Sequence, residues 1–341
     1  MIKKQTLIFT LLPLLLLLLL MADLITGSVH IPVKHLIRYL FLENDGTMEW
    51  GTLHIFRIPR VFSALVAGIA LSVSGLQMQT VFRNPLAGPY VLGISSGASL
   101  GVALVVIGFN SYFGTNVFSS TSSWLLIIAA WVGSAIILLI ILLVSLKTGD
   151  IMTILILGIM LGSGISAIIS ILQFFSGESA LKAFVIWTMG SVSSVTREQI
   201  PLLLTGIIPG LILSLFLIKS SNVVQLGEEY SKTLGVNIMR YRILVFTGTS
   251  LLTGTVTAFC GPIGFIGIAV PHITRMIFKT SRYGILLSGS IILGASIMVL
   301  SDLISQLPGK QMIFPVNAVT SLIGIPVIIW IITGKRKFMY E

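Results

Sequence analysis

A chain with about ten apolar runs, each near the roughly 20 residues that a helix needs to cross a 30 Å hydrocarbon layer, has few folds open to it. It is expected to be an all-α polytopic membrane protein. Composition agrees, with 55% hydrophobic and 9% charged residues over 341 positions and a mean hydropathy of +1.05. No room is left for a sizeable soluble domain, so residues 1–341 read as a single transmembrane domain. Spans are expected near residues 58–81, 90–108, 124–146, 151–173, 200–218, 241–259, 264–278, 284–306 and 316–333. The opening "MIKKQTLIFTLLPLLLLLLLMADLITG" has the basic start and leucine run of a secretory signal. It reads instead as a retained span, because the run approaches spanning length and no small-x-small cleavage site follows. "ALKAFVIWTMGSVSSVTREQI" is interrupted by Gly190 and several serines, and reads as a short helix at the outer surface. The lone Cys260, in apolar surroundings, excludes an internal disulfide.

Lysine and arginine collect on the cytoplasmic side of membrane proteins, which orients the map. With the N-terminus inside, fourteen of the 21 basic residues fall on that side and seven outside. Asp150, Glu228, Glu229 and Glu341 join them, while the other acids lie toward the outer face. The formal net charge of +10 therefore sits almost wholly inside and records orientation; it does not point to nucleic acid. Ten spans put both termini in the cytoplasm. Residues 26–57 form an outer-face segment.

The longest cytoplasmic loop on this map, "NVVQLGEEYSKTLGVNIMRYR" from Asn222 to Arg242, is also the most polar. Glu228 and Lys232 stand four apart with the acid first, and Tyr230 and Leu234 share another face at that spacing. Gly235 supplies a helix stop, and Asn237 can cap the helix that follows. Such a short helix is stable only when packed on something. Two partners fit it: lipid headgroups under an amphipathic helix, or a groove in a soluble protein that takes a knob.

In "RIPRVFSALVAGIALSVSGLQMQTVFRNPLAGPYVLGISSGASLG", Gly75, Gln79 and Arg83 recur every four residues and stack on one helix face. That face is expected to meet protein. Asn84, Pro85, Gly88 and Pro89 force a compact turn, and Gly93, Gly97 and Gly101 allow a second close helix approach. Singly, each spacing is ordinary membrane packing.

As an ordered set, these residues resemble the FecCD family of permeases, the membrane subunits of ABC importers for ferric siderophores, haem and cobalamin. "GPIGFIGIAVPHITRM" looks like a further helix of that family, with Gly261, Gly264, Phe265, Gly267, Pro271, His272 and Arg275 at matching places. The loop above is similar to its coupling segment, and "LIGIPVIIW" resembles its closing helix. The resemblance covers most of the chain from about residue 50 onward. It implies ten helices per subunit and two permease subunits around one path, identical ones being favoured. Two ATPase subunits lie below, a substrate-binding protein lies above, and the location is the bacterial cytoplasmic membrane. Glu228, Glu229, Tyr230, Leu234, Gly235 and Arg240 would then couple to the ATPase. ATP and magnesium belong to that partner, since neither Gly309-Lys310 nor Gly334-Lys335 forms a GxxxxGK[ST] loop. This chain is expected to bind no cofactor and to do no covalent chemistry.

Arg57 and Arg60 flank Pro59 at an outer helix start. Interfacial anchoring is one role; the resemblance implies docking to the binding protein, and two outside arginines run against the positive-inside trend. In "LSDLISQLPGKQMIFPVN", Gln306 stands where the family has an arginine and Ile313 where it has a glutamate, so the docking surface has lost a charge of each sign. Lys310 can partly substitute for the missing cation. Asp302 is an intramembrane acid, a candidate proton carrier or a structural partner. His272 with Arg275 suits packing better than metal chemistry, and His30, His35 and His54 are too scattered to make a ligand set. No metal site or catalytic residue is expected.

Gly158, Gly162, Ser163, Ser166 and Ser170 give the fifth span a small, weakly polar stripe, suited either to lining a path for a bulky metal chelate or corrinoid or to helix packing. The main alternative is an ion-coupled secondary transporter, which calls for repeated halves and charged midplane sites. A broken helix near Gly261 to Gly267 fits that alternative, but no repetition or midplane acid is evident. An intramembrane enzyme lacks any nucleophile and base arrangement.

Overall fold

The computed structural model of the protein describes residues 2–27, 48–109, 122–148, 150–307 and 313–333, which are helical with no strand among them. Helix α1 (Ile2–Ile25) is followed by a short turn, Met48–Thr52, and a π-turn, Leu53–Arg57, that runs directly into α2 (Ile58–Val81). Next come α3 (Ile94–Ala103), α4 (Ser122–Lys147), α5 (Ile151–Phe174) and the eleven-residue α6 (Glu178–Thr188). The remainder comprises α7 (Ile200–Phe216), α8 (Ile218–Val224), α9 (Glu228–Thr233), α10 (Ile238–Cys260), α11 (Ile266–Phe278), α12 (Tyr283–Ser305) and α13 (Val316–Thr333). Among the described residues, seven helices are long and apolar enough to cross a membrane. Three shorter apolar helices, Ile94–Gly108, Ile266–Phe278 and Val316–Trp330, join them. The expected ten spans thus correspond to seven full-length helices and three shorter ones. Lys310, most of the outer segment 26–57 and the C-terminal residues beyond 333 lie outside the described residues.

One expected span is subdivided. The run 90–108 opens as a 3₁₀ turn, Pro89–Leu92, which Gly93 ends in the left-handed region at φ 71°. Only then does α3 begin, because proline fixes its own φ and glycine alone enters the left-handed region without strain. α3 continues into a π-turn, Leu104–Phe109.

Helix α2 is the axis of the bundle, buried along nearly its whole length and packed against α10, α11 and α12. Lipid tails are as apolar as leucine, so helices here associate through close packing and interhelical hydrogen bonds. Small residues permit both. A Cβ on Gly75 would lie 1.8 Å from the carbonyl oxygen of Gly267, and one on Gly68 would lie 2.3 Å from that of Gly294. On another flank, Gly97 abuts Gly133 of α4. Ser72 Oγ donates to the Ser290 carbonyl at 2.8 Å. Gln77 donates to Ser214 Oγ at 2.9 Å and accepts from Thr249 Oγ1 at 3.0 Å, joining α2 to α7 and α10. Helix α1 packs along α12 and meets the end of α11, where Gln5 Nε2 donates to the Phe278 carbonyl at 3.2 Å. Its leucines on the other side face outward.

The α2–α11 contact has a direct consequence. Gly75→Val places its whole side chain inside the Gly267 backbone, so the helices must separate. Overpacking costs about 1–3 kcal/mol where some adjustment is possible. The expected result is a marked fall in apparent melting temperature in detergent, with Gly75→Ala intermediate. An unchanged melting curve for the valine variant would refute the contact.

Candidate functional site

The polar loop folds as two short helices. After α8, Gly227 turns the chain at φ 130° into α9, which spans only six residues. Gly235 ends the turn at φ 80°, and Asn237 Oδ1 accepts from the Arg240 backbone amide at 3.0 Å, capping α10 as its position suggested. Tyr230 and Leu234 are 55% and 54% exposed, so the shared face expected of them points away from the bundle. Arg240 is exposed as well.

The expected Glu228–Lys232 pair does not form. Lys232 Nζ lies 2.6 Å from Glu229 Oε1, and Glu228 Oε1 lies 2.6 Å from Arg242 Nη2 in α10. The reason is burial: the Arg242 side chain is 4% exposed, and a buried guanidinium needs a carboxylate more than an exposed ammonium does. Three further bonds hold the segment. Arg83 Nη2 donates to the Val224 carbonyl at 3.1 Å, Ser221 and Tyr241 share a hydroxyl bond at 3.1 Å, and the Tyr283 amide donates to Asn222 Oδ1 at 2.8 Å. Between the loop, the end of α2 and the start of α5 lies a hollow of about 660 Å³, lined in part by Arg83, Met152, Leu226 and Tyr230. The residues assigned to the cytoplasmic side thus converge on one end of the bundle.

Arg83 itself leaves the face it was expected to share. Gln79 donates to the Ile268 carbonyl at 3.1 Å and accepts from Arg275, so Gly75 and Gln79 both meet α11. Arg83 has left the helix, with φ 46°, and turns toward α8. In the bend below, Asn84 Oδ1 accepts from the Leu86 amide at 3.0 Å, with Pro85 between them. The break before α11 is closed by Asn317 Oδ1, which accepts from the Gly264 amide at 2.9 Å; Pro271 is buried within the helix that follows. Backbone freed at such depth is tolerated when buried in protein.

At the opposite end, Arg60 makes two bonds of 2.8 Å to the carboxylate of Asp302. Arg57 is 7% exposed and donates to the Leu24 carbonyl at 2.5 Å. Both guanidiniums thus hold bonds within the chain, Arg57 to a backbone carbonyl and Arg60 to a carboxylate. The fully buried Asp302 requires a counter-charge, and Arg60 is within its reach. Gln306 also turns in, its amide 2.6 Å from Asp23 Oδ1 and 3.3 Å from Asp302 Oδ2. Ile313 is exposed. Among the described residues, no group of three or more His, Cys, Asp or Glu is placed to hold a metal ion.

The stripe on α5 divides. Gly158 is buried against the Val91 carbonyl and Gly162 approaches Ser96, so the glycines serve packing. Ser163, Ser166 and Ser170 are exposed, each donating to the carbonyl four residues earlier at 2.9–3.0 Å. Hydroxyls satisfied in this way leave a smooth surface with no strong binding group. The bonds from Glu228 to Arg242, Arg60 to Asp302 and Gln306 to Asp23 were not signalled by sequence spacing, since these partners lie 14, 242 and 283 positions apart.

The described residues thus form a bundle of apolar helices of membrane-crossing length with an exposed short-helix knob at one end. The chain belongs to the FecCD transport family, whose model matches residues 14–334. It is 34% identical to the hemin transport system permease protein HmuU of Yersinia pestis, over 94% of this chain and 95% of that one. It is 33% identical to the vitamin B12 import system permease protein BtuC of Escherichia coli, over 82% and 83%. Its fold is similar to a solved chain described as an inward-facing conformation of a candidate metal-chelate type ABC transporter. The two share a TM-score of 0.81 and 28% identity, covering 96% of this chain and 99% of that one.

Proposed function

We propose that this chain is the membrane subunit of an ATP-driven, binding-protein-dependent importer that carries a ferric siderophore, haem or cobalamin by alternating access. Two copies enclose the path, two ATPase subunits hydrolyse magnesium-ATP below, and a binding protein delivers cargo from above, all at a bacterial cytoplasmic membrane. The observation that carries this reading is the knob: Leu226, Tyr230 and Leu234 stand exposed beside a hollow, at an end of the bundle dense in charge. Apolar side chains presented amid polar ones suit a protein groove. Names of the relatives supply the cargo class, and the exposed serines of α5 suit a path that releases a bulky solute.

The test is purification from the native membrane in mild detergent, with mass spectrometry of what stays bound. A stoichiometric ATPase subunit is the expected result. A preparation that lacks one, yet moves solute across vesicles without ATP, would overturn the proposal in favour of ion coupling.

A further inference from the structure

At the outer end of the bundle two buried acids share one donor and are otherwise provided for very unequally. Asp302 of α12 accepts two bonds of 2.8 Å from Arg60, one of 3.3 Å from Ser305 Oγ and one of 3.3 Å from the Gln306 amide. Asp23, near the end of α1, is 1% exposed. Its Oδ1 accepts from Gln306 Nε2 at 2.6 Å, while its Oδ2 is buried with no hydrogen-bond donor among the described residues. An amide nitrogen has two hydrogens, and these two carboxyl groups take both of them. The carboxyl groups also lie within hydrogen-bonding reach of each other.

The charges that face Asp23 are Asp302, Arg60 of α2 and Arg57 at the end of the π-turn, and the thiol of Cys260 on α10 is in electrostatic reach of Asp302. Arg60 is committed to Asp302, and Arg57 Nη1 donates to the Leu24 carbonyl at 2.5 Å. A buried carboxylate with one oxygen left without a donor bears a large desolvation cost. Two ionised carboxylates also have no hydrogen to offer each other. A carboxylic acid meets both difficulties: it is neutral, its carbonyl oxygen accepts the one amide bond, and its hydroxyl donates to the neighbouring carboxylate. Paired acids in other proteins share a proton for this reason. Here Asp302 has its cation and Asp23 does not, so the proton belongs on Asp23.

We propose that Asp23 is a proton-binding site: it is held as the neutral acid, its proton directed to Asp302, because Gln306 brings an amide to it and no cation. The proton and the amide together clasp the outer end of α1 to the end of α12. Without the proton, two anions meet across one amide and one bound cation, and the clasp opens. Asp23 released into water gives up its proton above about pH 4. The closed clasp therefore binds one proton more than the open form, and it weakens as pH rises, by about tenfold in its equilibrium per pH unit while that difference lasts. The inference needs only the bundle and does not depend on the importer reading.

The experiment uses the full chain in lipid nanodiscs and reads two quantities: the infrared carbonyl band of a protonated carboxylic acid, and the apparent melting temperature at mildly acidic and at alkaline pH. At neutral pH the parent is expected to show a band that Asp23→Asn removes. The asparagine variant, a neutral stand-in for the acid, should melt with the parent at mildly acidic pH and lose most of the parent's fall in melting temperature at alkaline pH. Gln306→Arg brings a cation to Asp23, and should remove the band and flatten the same pH dependence with Asp23 still in place. A spectrum unchanged by Asp23→Asn overturns the proposal. So does an asparagine variant that fails to fold, or that melts well below the parent at mildly acidic pH, since either marks an ionised Asp23 whose charge is needed. A band that survives Gln306→Arg overturns it as well, because the proton would then not depend on the missing cation.

Discussion

Changing Tyr230 and Leu234 together to aspartate is expected to strip the ATPase subunit from the purified complex while leaving the permease folded in the membrane. Both side chains are more than half exposed and neither contributes to the buried core, so their replacement has little to disturb inside the bundle. Surface changes of this kind usually alter stability by less than about 0.5 kcal/mol. At an interface the same residues are apolar anchors, and losing one costs on the order of 2 kcal/mol when it is a hot spot. Two such losses weaken attachment by about three orders of magnitude. The measurement is the ratio of ATPase to permease after purification, taken beside the apparent melting temperature. Retention of the ATPase would remove this face from the attachment surface. A parallel collapse in melting temperature would instead mean that the knob is structural.

That face was legible in the sequence because it is local. Tyr230 and Leu234 are related by a single helical turn, as are the Asn237 cap and the Arg240 amide. Span boundaries were legible for the same reason: the run expected at 58–81 is observed as Ile58–Val81, and the run at 151–173 as Ile151–Phe174. The ion pairs were not. Spacing favours Glu228 with Lys232, but no spacing rule records that Arg242 is buried and unable to use water as its counter-ion. Tertiary burial outweighs an exposed helical pair, worth only about 0.2–0.5 kcal/mol. Family resemblance has a similar limit. It picked out Gly75 and Gly267 in separate blocks without recording that they touch, and it carried no sign that Arg57 and Arg60 hold bonds within the chain. The substitution at Gln306 is part of the explanation. Without a third cation there, Asp302 is held by Arg60, and Gln306 supplies a neutral donor that lies between Asp23 and Asp302.

Removing one partner of that inward pair is the second change with a large expected effect. Asp302→Ala leaves the Arg60 guanidinium, with a side chain 13% exposed, facing a site built for a carboxylate. Breaking a buried pair from one side costs about 3–5 kcal/mol, because a charge remains without its counter-ion. Arg60→Ala should cost a similar amount, since Asp302 is then left at 0% exposure without its cation, with neutral donors such as Ser305 and Gln306 in its place. The joint replacement Arg60→Met with Asp302→Leu removes both charges and should recover much of the loss. Melting curves of the three variants in detergent decide the matter. A structural pair gives two deep single losses and a shallow double one. An arginine whose purpose is docking gives the opposite pattern: Arg60→Ala leaves the melting temperature in place and weakens only the binding protein's attachment. The geometry favours the first outcome, because an arginine that makes two bonds of 2.8 Å to a fully buried acid must break both, and strand the acid, before it can reach a partner.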